Sequence, residues 1–221
     1  ANQVKISKEA VAYRIKQLEK DGIITKYITL SHFAKLGLIH FKLYLRYSNL
    51  GKETRDEIIA YLSVIDNIGW IASTEGSFDL MLSVRFKTIY EFEDFKDNFC
   101  SRFDKHFQDI QLAILTESET KPRKYIMSEF TNKNKIFLHC DKANPEKLDE
   151  EDLCIIHALA TNARANAIEL SKITKLTERI IRYRRKELER RGIIVGYKLA
   201  IDYRKLGYLF FKCFVTFRNL D

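Results

Sequence analysis

TERIIRYRRKELERRGIIVGYKLAIDYRKLGYLFFKCFVTFRNLD, residues 177–221, is a second writing of SKEAVAYRIKQLEKDGIITKYITLSHFAKLGLIHFKLYLRYSNLG, residues 7–51. Laid over one another at an offset of 170 without a gap, the two share 16 identities in 45 positions. Tyr13/Tyr183, Arg14/Arg184, Leu18/Leu188, Gly22/Gly192, Tyr27/Tyr197 and Gly37/Gly207 are among them. A period this long marks a duplicated domain, because solenoid repeats recur at roughly 20–50 residues. Each copy runs a helical pattern up to a glycine, the usual C-terminal stop, and continues into an alternating extended segment.

Working outward from the second copy, LDEEDLCIIHALA (148–160) puts Leu153, Ile156, Leu159 and Ala160 at helical spacing. Asp149 stands as N-cap, with further acids in the first turn. After the break TNARAN, Asn166 and Glu169 have capping-box spacing for a short second helix. ITKL then leads to Thr177 and a third helix closed by Gly192. Three helices with short joints form a helix-turn-helix pattern. The first copy keeps only the end of this unit, a third helix over 7–20 and a strand over 23–30. Counterparts of residues 149–170 are missing from it.

Between the copies the order changes. Strands are expected over 38–47, 69–74, 78–86 and 107–115, and helices over 52–64 and 90–103. The first helix turns Ile58, Ile59, Leu62 and Ile65 inward; the second carries Phe92, Phe95, Phe99 and Phe103 on one side. This β-α-β-β-α-β order is the ferredoxin-like split unit, whose sheet has one face covered by helices and one free. The fold class is therefore α+β, a winged helix-turn-helix plus a ferredoxin-like module, partially repeated. The expected division is 1–30, the end of a first winged head; 31–118, the ferredoxin-like module; 119–147, a linker in which KIFLHC adds an edge strand; 148–206, a complete second head; and 207–221, the first strand of a second module. On this reading the parent protein continues beyond both ends.

The 221 residues are 46% hydrophobic and 31% charged, enough for real cores. A net charge of +8 and a pI near 9.2 favour a polyanionic partner. Cys100, Cys140, Cys154 and Cys213 are scattered without a CxxC pair, as in a reduced compartment. No apolar run is long enough for a membrane helix, and no signal-peptide pattern opens the chain. A cytoplasmic protein is expected.

The third helix of the second copy carries seven Arg/Lys against three Glu over 177–191. Its core face needs Ile181 and Leu188. Thr177, Glu178, Arg179, Arg182 and Lys186 then lie at its start or point away, where a recognition helix meets base edges and phosphates of double-stranded DNA. Lys8, Tyr13 and Lys16 occupy the outward face of the first copy, which is less basic. The plain alternative is a solvated charged face. Neither a metal site nor a catalytic constellation is expected. The histidines (32, 40, 106, 139, 157) show no HExxH or H-x₃₋₅-H spacing; no Gly-rich phosphate loop and no GxSxG occurs. No cofactor is called for.

Residues 148–207 resemble the winged helix-turn-helix of the Lrp/AsnC transcription regulators, and the β-α-β-β-α-β segment resembles their effector domain, often called RAM. The resemblance implies DNA-binding heads, pairing of RAM sheets (as homo-oligomers or within one chain) and an amino-acid or related small effector at the RAM–RAM interface. The family's effector-loop pattern corresponds to Gly76-Ser77-Phe78-Asp79, where the glycine permits a tight turn and Asp79 could hold an ammonium or amide group. A plain β-hairpin whose Asp caps the turn is the alternative. This chain departs from the family at Arg185, usually aliphatic; a cation at the core edge must snorkel or pair. Two other functions remain in view. Sirohaem decarboxylases resemble the same fold, but the RAM segment offers His40 and His106 without a clustered motif such as RHR. An assembly or sensor module with vestigial heads would need RAM pairing alone.

Overall fold

The computed structural model describes residues 4–121, 137–142 and 144–216. In chain order the elements are α1 (Lys8–Lys20), β1 (Ile24–Ser31), β2 (Ile39–Tyr47), α2 (Lys52–Ser63), β3 (Ile68–Ser73), β4 (Leu80–Phe86), α3 (Ile89–Phe103), β5 (Phe107–Ile114), β6 (Ser118–Thr120), β7 (Phe137–Cys140), α4 (Glu150–Thr161), α5 (Ala167–Thr174), α6 (Glu178–Arg190) and β8 (Ile194–Ile201). The architecture is α+β.

Four strands form one antiparallel sheet in the order β3-β4-β2-β5. Strict alternation in β2 and β4 sends Phe41, Leu43, Leu45, Leu80, Leu82, Val84 and Phe86 to one face. There they meet Ile58 and Leu62 of α2 and the phenylalanines 92, 95, 99 and 103 of α3. Phe41 stacks on Phe92 with ring centroids 4.1 Å apart. Each such ring withdrawn from water contributes roughly 2–3 kcal/mol. Ile59, expected inward on α2, is only half-buried. Tyr61 takes that place, edge-on to Phe103 at 5.2 Å, because 58, 61, 62 and 65 share a face and 59 is a hundred degrees off it.

In the second head, α4 buries Asp152, Ile155, Ile156, Ala158 and Leu159, while Leu153 is 50% exposed. The expected face is thus turned by about one residue, away from Leu153 and Ala160. Apolar periodicity alone missed this because the buried stripe begins with a carboxylate, Asp152, which Arg184 holds at 2.9 Å. The remainder follows expectation: Asp149 caps α4, and Asn166 with Glu169 closes a full capping box on α5. Gly192 follows α6 in the left-handed region at φ 67°. Ile155, Leu159, Leu170, Ile181, Leu188 and Ile193 fill the core between the three helices.

The strand expected in KIFLHC is β7, which pairs with β6 in a two-stranded sheet of its own; residues 135–136 lie outside the described residues. Most of the 119–147 linker lies outside the described residues. Residues 208–216 form no strand, contrary to expectation. A single strand without neighbours has no ladder to join, and this one lies instead against the central sheet, with Phe214 5.0 Å from Tyr44.

The two copies meet directly. β1 pairs antiparallel with β8, Ile28 opposite Lys198, Tyr27 opposite Leu199 and Thr29 opposite Tyr197. Exchanging each residue for its repeat equivalent leaves this register unchanged, so a pseudo-two-fold axis passes through the Ile28–Lys198 pair. The symmetry extends outward. His32 N–H donates to Ile193 O and Asp202 N–H to Ile23 O, both at 2.9 Å. Lys35 Nζ donates to Arg191 O, at the C-terminal end of α6, at 2.5 Å; its equivalent Lys205 donates to Asp21 O, at the end of α1. Each lysine thus puts a cation on the negative end of the other copy's helix dipole. Here the contact is isologous, the kind two identical subunits make, within one chain.

Candidate nucleic-acid interface

The site is built on α6. Its angle is set by the joint before it, where Lys175 adopts the left-handed conformation at φ 61°. There Ser171 Oγ donates to Leu176 O at 2.5 Å. Thr177 caps the helix by accepting from Ile180 N–H. Ile181 and Leu188 are 1% exposed and anchor the inner face. Arg179, Arg182 and Lys186 are exposed on the outer one, at i, i+3 and i+7, and Glu178 is half-buried. Lys172 and Lys175, not singled out from the sequence, are exposed on the joint immediately before; the motif SKITK was their only signal.

The charge of α6 is less available than its composition suggests. Arg184 is turned inward against Asp149 (2.7 Å), Glu151 (2.5 Å) and Asp152 (2.9 Å). These partners push its pKa further up, and the Asp152 amide together with Arg184 holds the Asp149 carboxyl below the usual carboxylate range. Arg191 binds Glu146 at 2.8 Å, and Arg190 binds Glu187 at 2.5 Å. The open cleft beside α6, lined by Asp149, Asp152, Arg184 and Arg191 among others, is this ion-pair network rather than a groove for a ligand. Arg182 is tied to Glu178 at 2.8 Å on the exposed face. No ion pair engages Arg179 or Lys186 among the described residues.

Arg185 is accommodated by pairing. Its Nε donates to Tyr197 Oη at 3.0 Å and lies 3.3 Å from Glu189, with the guanidinium over the Tyr197 ring. Burial, then the hydrogen bond to Glu189, pushes the Tyr197 phenol up to about 12. In the first copy the same corner holds Tyr27 and Glu19, but position 15 is isoleucine. The guanidinium comes instead from Arg164, between α4 and α5, at 2.9 Å from Glu19 and 2.8 Å from Tyr27 Oη. Thus one head supplies the cation that the other copy lacks.

Lys8, Tyr13 and Lys16 are exposed on α1, which buries no residue at all. Gly76–Asp79 forms the turn before β4, with Gly76 at φ 128°. The Asp79 carboxylate accepts from Tyr47 N–H at 2.8 Å, and Arg46 donates to Ser77 O at 2.7 Å. Thr74 Oγ1 donates to Phe78 O. Phe78 is buried against Tyr44. The polar groups of the turn thus brace the hairpin itself.

No family model matches this chain. It is 43% identical over 61 residues to the HTH-type transcriptional regulator LrpA of Pyrococcus abyssi, covering 28% of this chain and 43% of that one. It is 40% identical over 77 residues to LrpC of Bacillus subtilis, covering 34% of this chain and 53% of that one. Over these stretches the chain is similar to Lrp-type helix-turn-helix regulators. It spans about half the length of the curated relatives it matches. Its fold is that of the sirohaem decarboxylase NirDL over 90% of this chain and 58% of that one, with a TM-score of 0.54 and 15% identity. Among the described residues no helix is long and apolar enough to cross a membrane.

Proposed function

We propose that this chain is a sequence-specific DNA-binding regulator of Lrp/AsnC type that acts in the cytoplasm, without enzymatic activity. The supporting observation is the exposed row Arg179, Arg182 and Lys186 on a capped helix that follows a helix-turn-helix joint. Arg179 is the leading candidate for a base edge, since a bidentate Arg–guanine contact needs a guanidinium free of carboxylates. Lys186 and the exposed lysines of the joint suit phosphates. Lys8, Tyr13 and Lys16 form a weaker second surface on α1. Oligomerisation through the RAM sheet accompanies this reading. An amino-acid effector at Gly76–Asp79 would have to compete with Tyr47 N–H for the Asp79 carboxylate.

The test is a gel-shift titration on a selected operator. Binding should weaken steeply between about 50 and 200 mM salt, and the joint Arg179→Ala and Arg182→Ala variant should lose affinity and sequence preference together. Binding without sequence preference, or unmoved by salt or by the variant, would sink the proposal. A second reading, a tetrapyrrole enzyme, is favoured only by the fold shared with NirDL. A Soret shift on mixing with sirohaem would support it.

A further inference from the structure

We infer that the open face of the central sheet, opposite its helices, binds a small organic anion bearing carboxylates. The observation is a cluster of cations set among aromatic rings with no carboxylate paired to it among the described residues. Alternation places Lys42 and Tyr44 of β2, Ser83 and Arg85 of β4 and Trp70 of β3 on this face. Trp70, Ser83, Lys42 and Ala113 form one cross-strand row. Ser83 and Ala113 are small, and Ser83 is buried with its Oγ 2.5 Å from His40 Nε2. The Lys42 ammonium lies 5.0 Å from the Trp70 ring. Lys212, from the segment laid across the sheet, approaches the same ring at 5.8 Å and the Tyr44 ring at 4.6 Å. Arg85 passes over Gly69, where a Cβ would collide with its guanidinium, and rests on Phe33 at 3.9 Å.

No ion pair holds Lys42, Arg85 or Lys212 among the described residues, and Arg85 Nε is buried without a hydrogen-bond partner. Withdrawing cations from water without an anion is costly. The cost is visible at Lys42: burial, then Lys212, then Arg85, brings its pKa down to about 8. A face made only to pack against another sheet would be apolar, as the helix-covered face is. A zwitterionic ligand fits poorly, because its ammonium would join three cations. Inorganic oxyanions would leave Trp70, Tyr44, Phe78 and Phe214 unused, whereas an organic body can lie on those rings while its carboxylates meet the cations.

This inference is independent of the DNA reading, and its test uses no DNA. Isothermal titration calorimetry of this chain is run at constant ionic strength with benzene-1,3,5-tricarboxylate, citrate and inorganic phosphate as probes. Saturable binding is expected for the aromatic tricarboxylate, more weakly for citrate and most weakly for phosphate. Lys42→Met and Lys212→Ala should each weaken it by about tenfold, the loss of one charge-assisted contact. Lys42→Arg should retain most of the affinity. Lys212 lies outside every regular element, so its variant tests the site even if Lys42→Met disturbs the sheet. Absence of saturable binding, equal affinity in the Lys212→Ala chain, or phosphate binding as tightly as the tricarboxylate would overturn the assignment.

Discussion

Helices α1 and α6 are written in nearly the same sequence and sit in different surroundings. Leu188 is 1% exposed, whereas its equivalent Leu18 is 37% exposed; Ile181 is buried, whereas Val11 is only half-covered. The difference lies outside the helices. α6 rests on α4 and α5, and among the described residues α1 has no such pair beneath it. An amphipathic pattern specifies which face will be buried, but burial itself needs a surface to receive that face. Where the copies touch each other, by contrast, they behave alike, as the symmetric β1–β8 register and the paired lysines show.

The largest way to break this contrast is at the equivalent leucines. Leu188→Ala should cost about 2–5 kcal/mol in urea unfolding of the second head, and Leu18→Ala well under about 1 kcal/mol. Equal losses would mean that α1 is packed as firmly as α6. Next comes DNA: removing Arg179 and Arg182 should cost about 1–3 kcal/mol of operator affinity with relaxed specificity. Removing Lys8 and Lys16 should cost less and leave base preference unchanged. If the two losses matched, the two helices would be equal readers.

Two smaller tests concern the symmetric part. Arg185→Ala and Arg164→Ala should each cost about 1 kcal/mol, read in thermal melts, since each guanidinium holds a tyrosine–glutamate corner. A loss confined to Arg185 would deny that Arg164 serves the first copy. Lys35→Met and Lys205→Met should cost roughly 0.3–1 kcal/mol apiece, as expected for a cation at a helix C-terminus. The finest test is acid. The carboxyls of Asp149 and Glu146 are depressed, the former by the Asp152 amide and Arg184, the latter by its hydrogen bond to Arg191. Their stabilisation is therefore complete above the ordinary carboxylate values near pH 4 and lost as pH falls through the lower folded values. Protection factors of the α4 and α6 amides should consequently fall between pH 5 and about pH 3, and a second head insensitive to that change would contradict the ion-pair network.

Much of this was legible in the residues. The phenylalanine row at 92, 95, 99 and 103, the caps at Asp149 and Asn166, and Ile181 with Leu188 are local periodicities and pairings, and each was placed from sequence. What escaped was non-local or electrostatic. Asp152 was read only as one of the acids in the first turn of α4, because its partner Arg184 lies 32 residues on. Residues 208–216 read as a strand because alternation records a preference for extended chain, not the presence of a neighbour. The outer face of α6, proposed above as the DNA surface, was legible as a helix face, but its effective charge was not, since five of its seven cations are paired with carboxylates.

Pairing β1 with β8 inside one chain has a consequence for how the protein responds to dilution. Two identical subunits joined by such a contact separate when their concentration falls below the dissociation constant, and a two-headed reader made that way loses its second head when scarce. Here the partner strand is carried on the same polypeptide, at an effective concentration fixed by the chain rather than by copy number. The population with both copies in register is then the same at nanomolar as at micromolar protein.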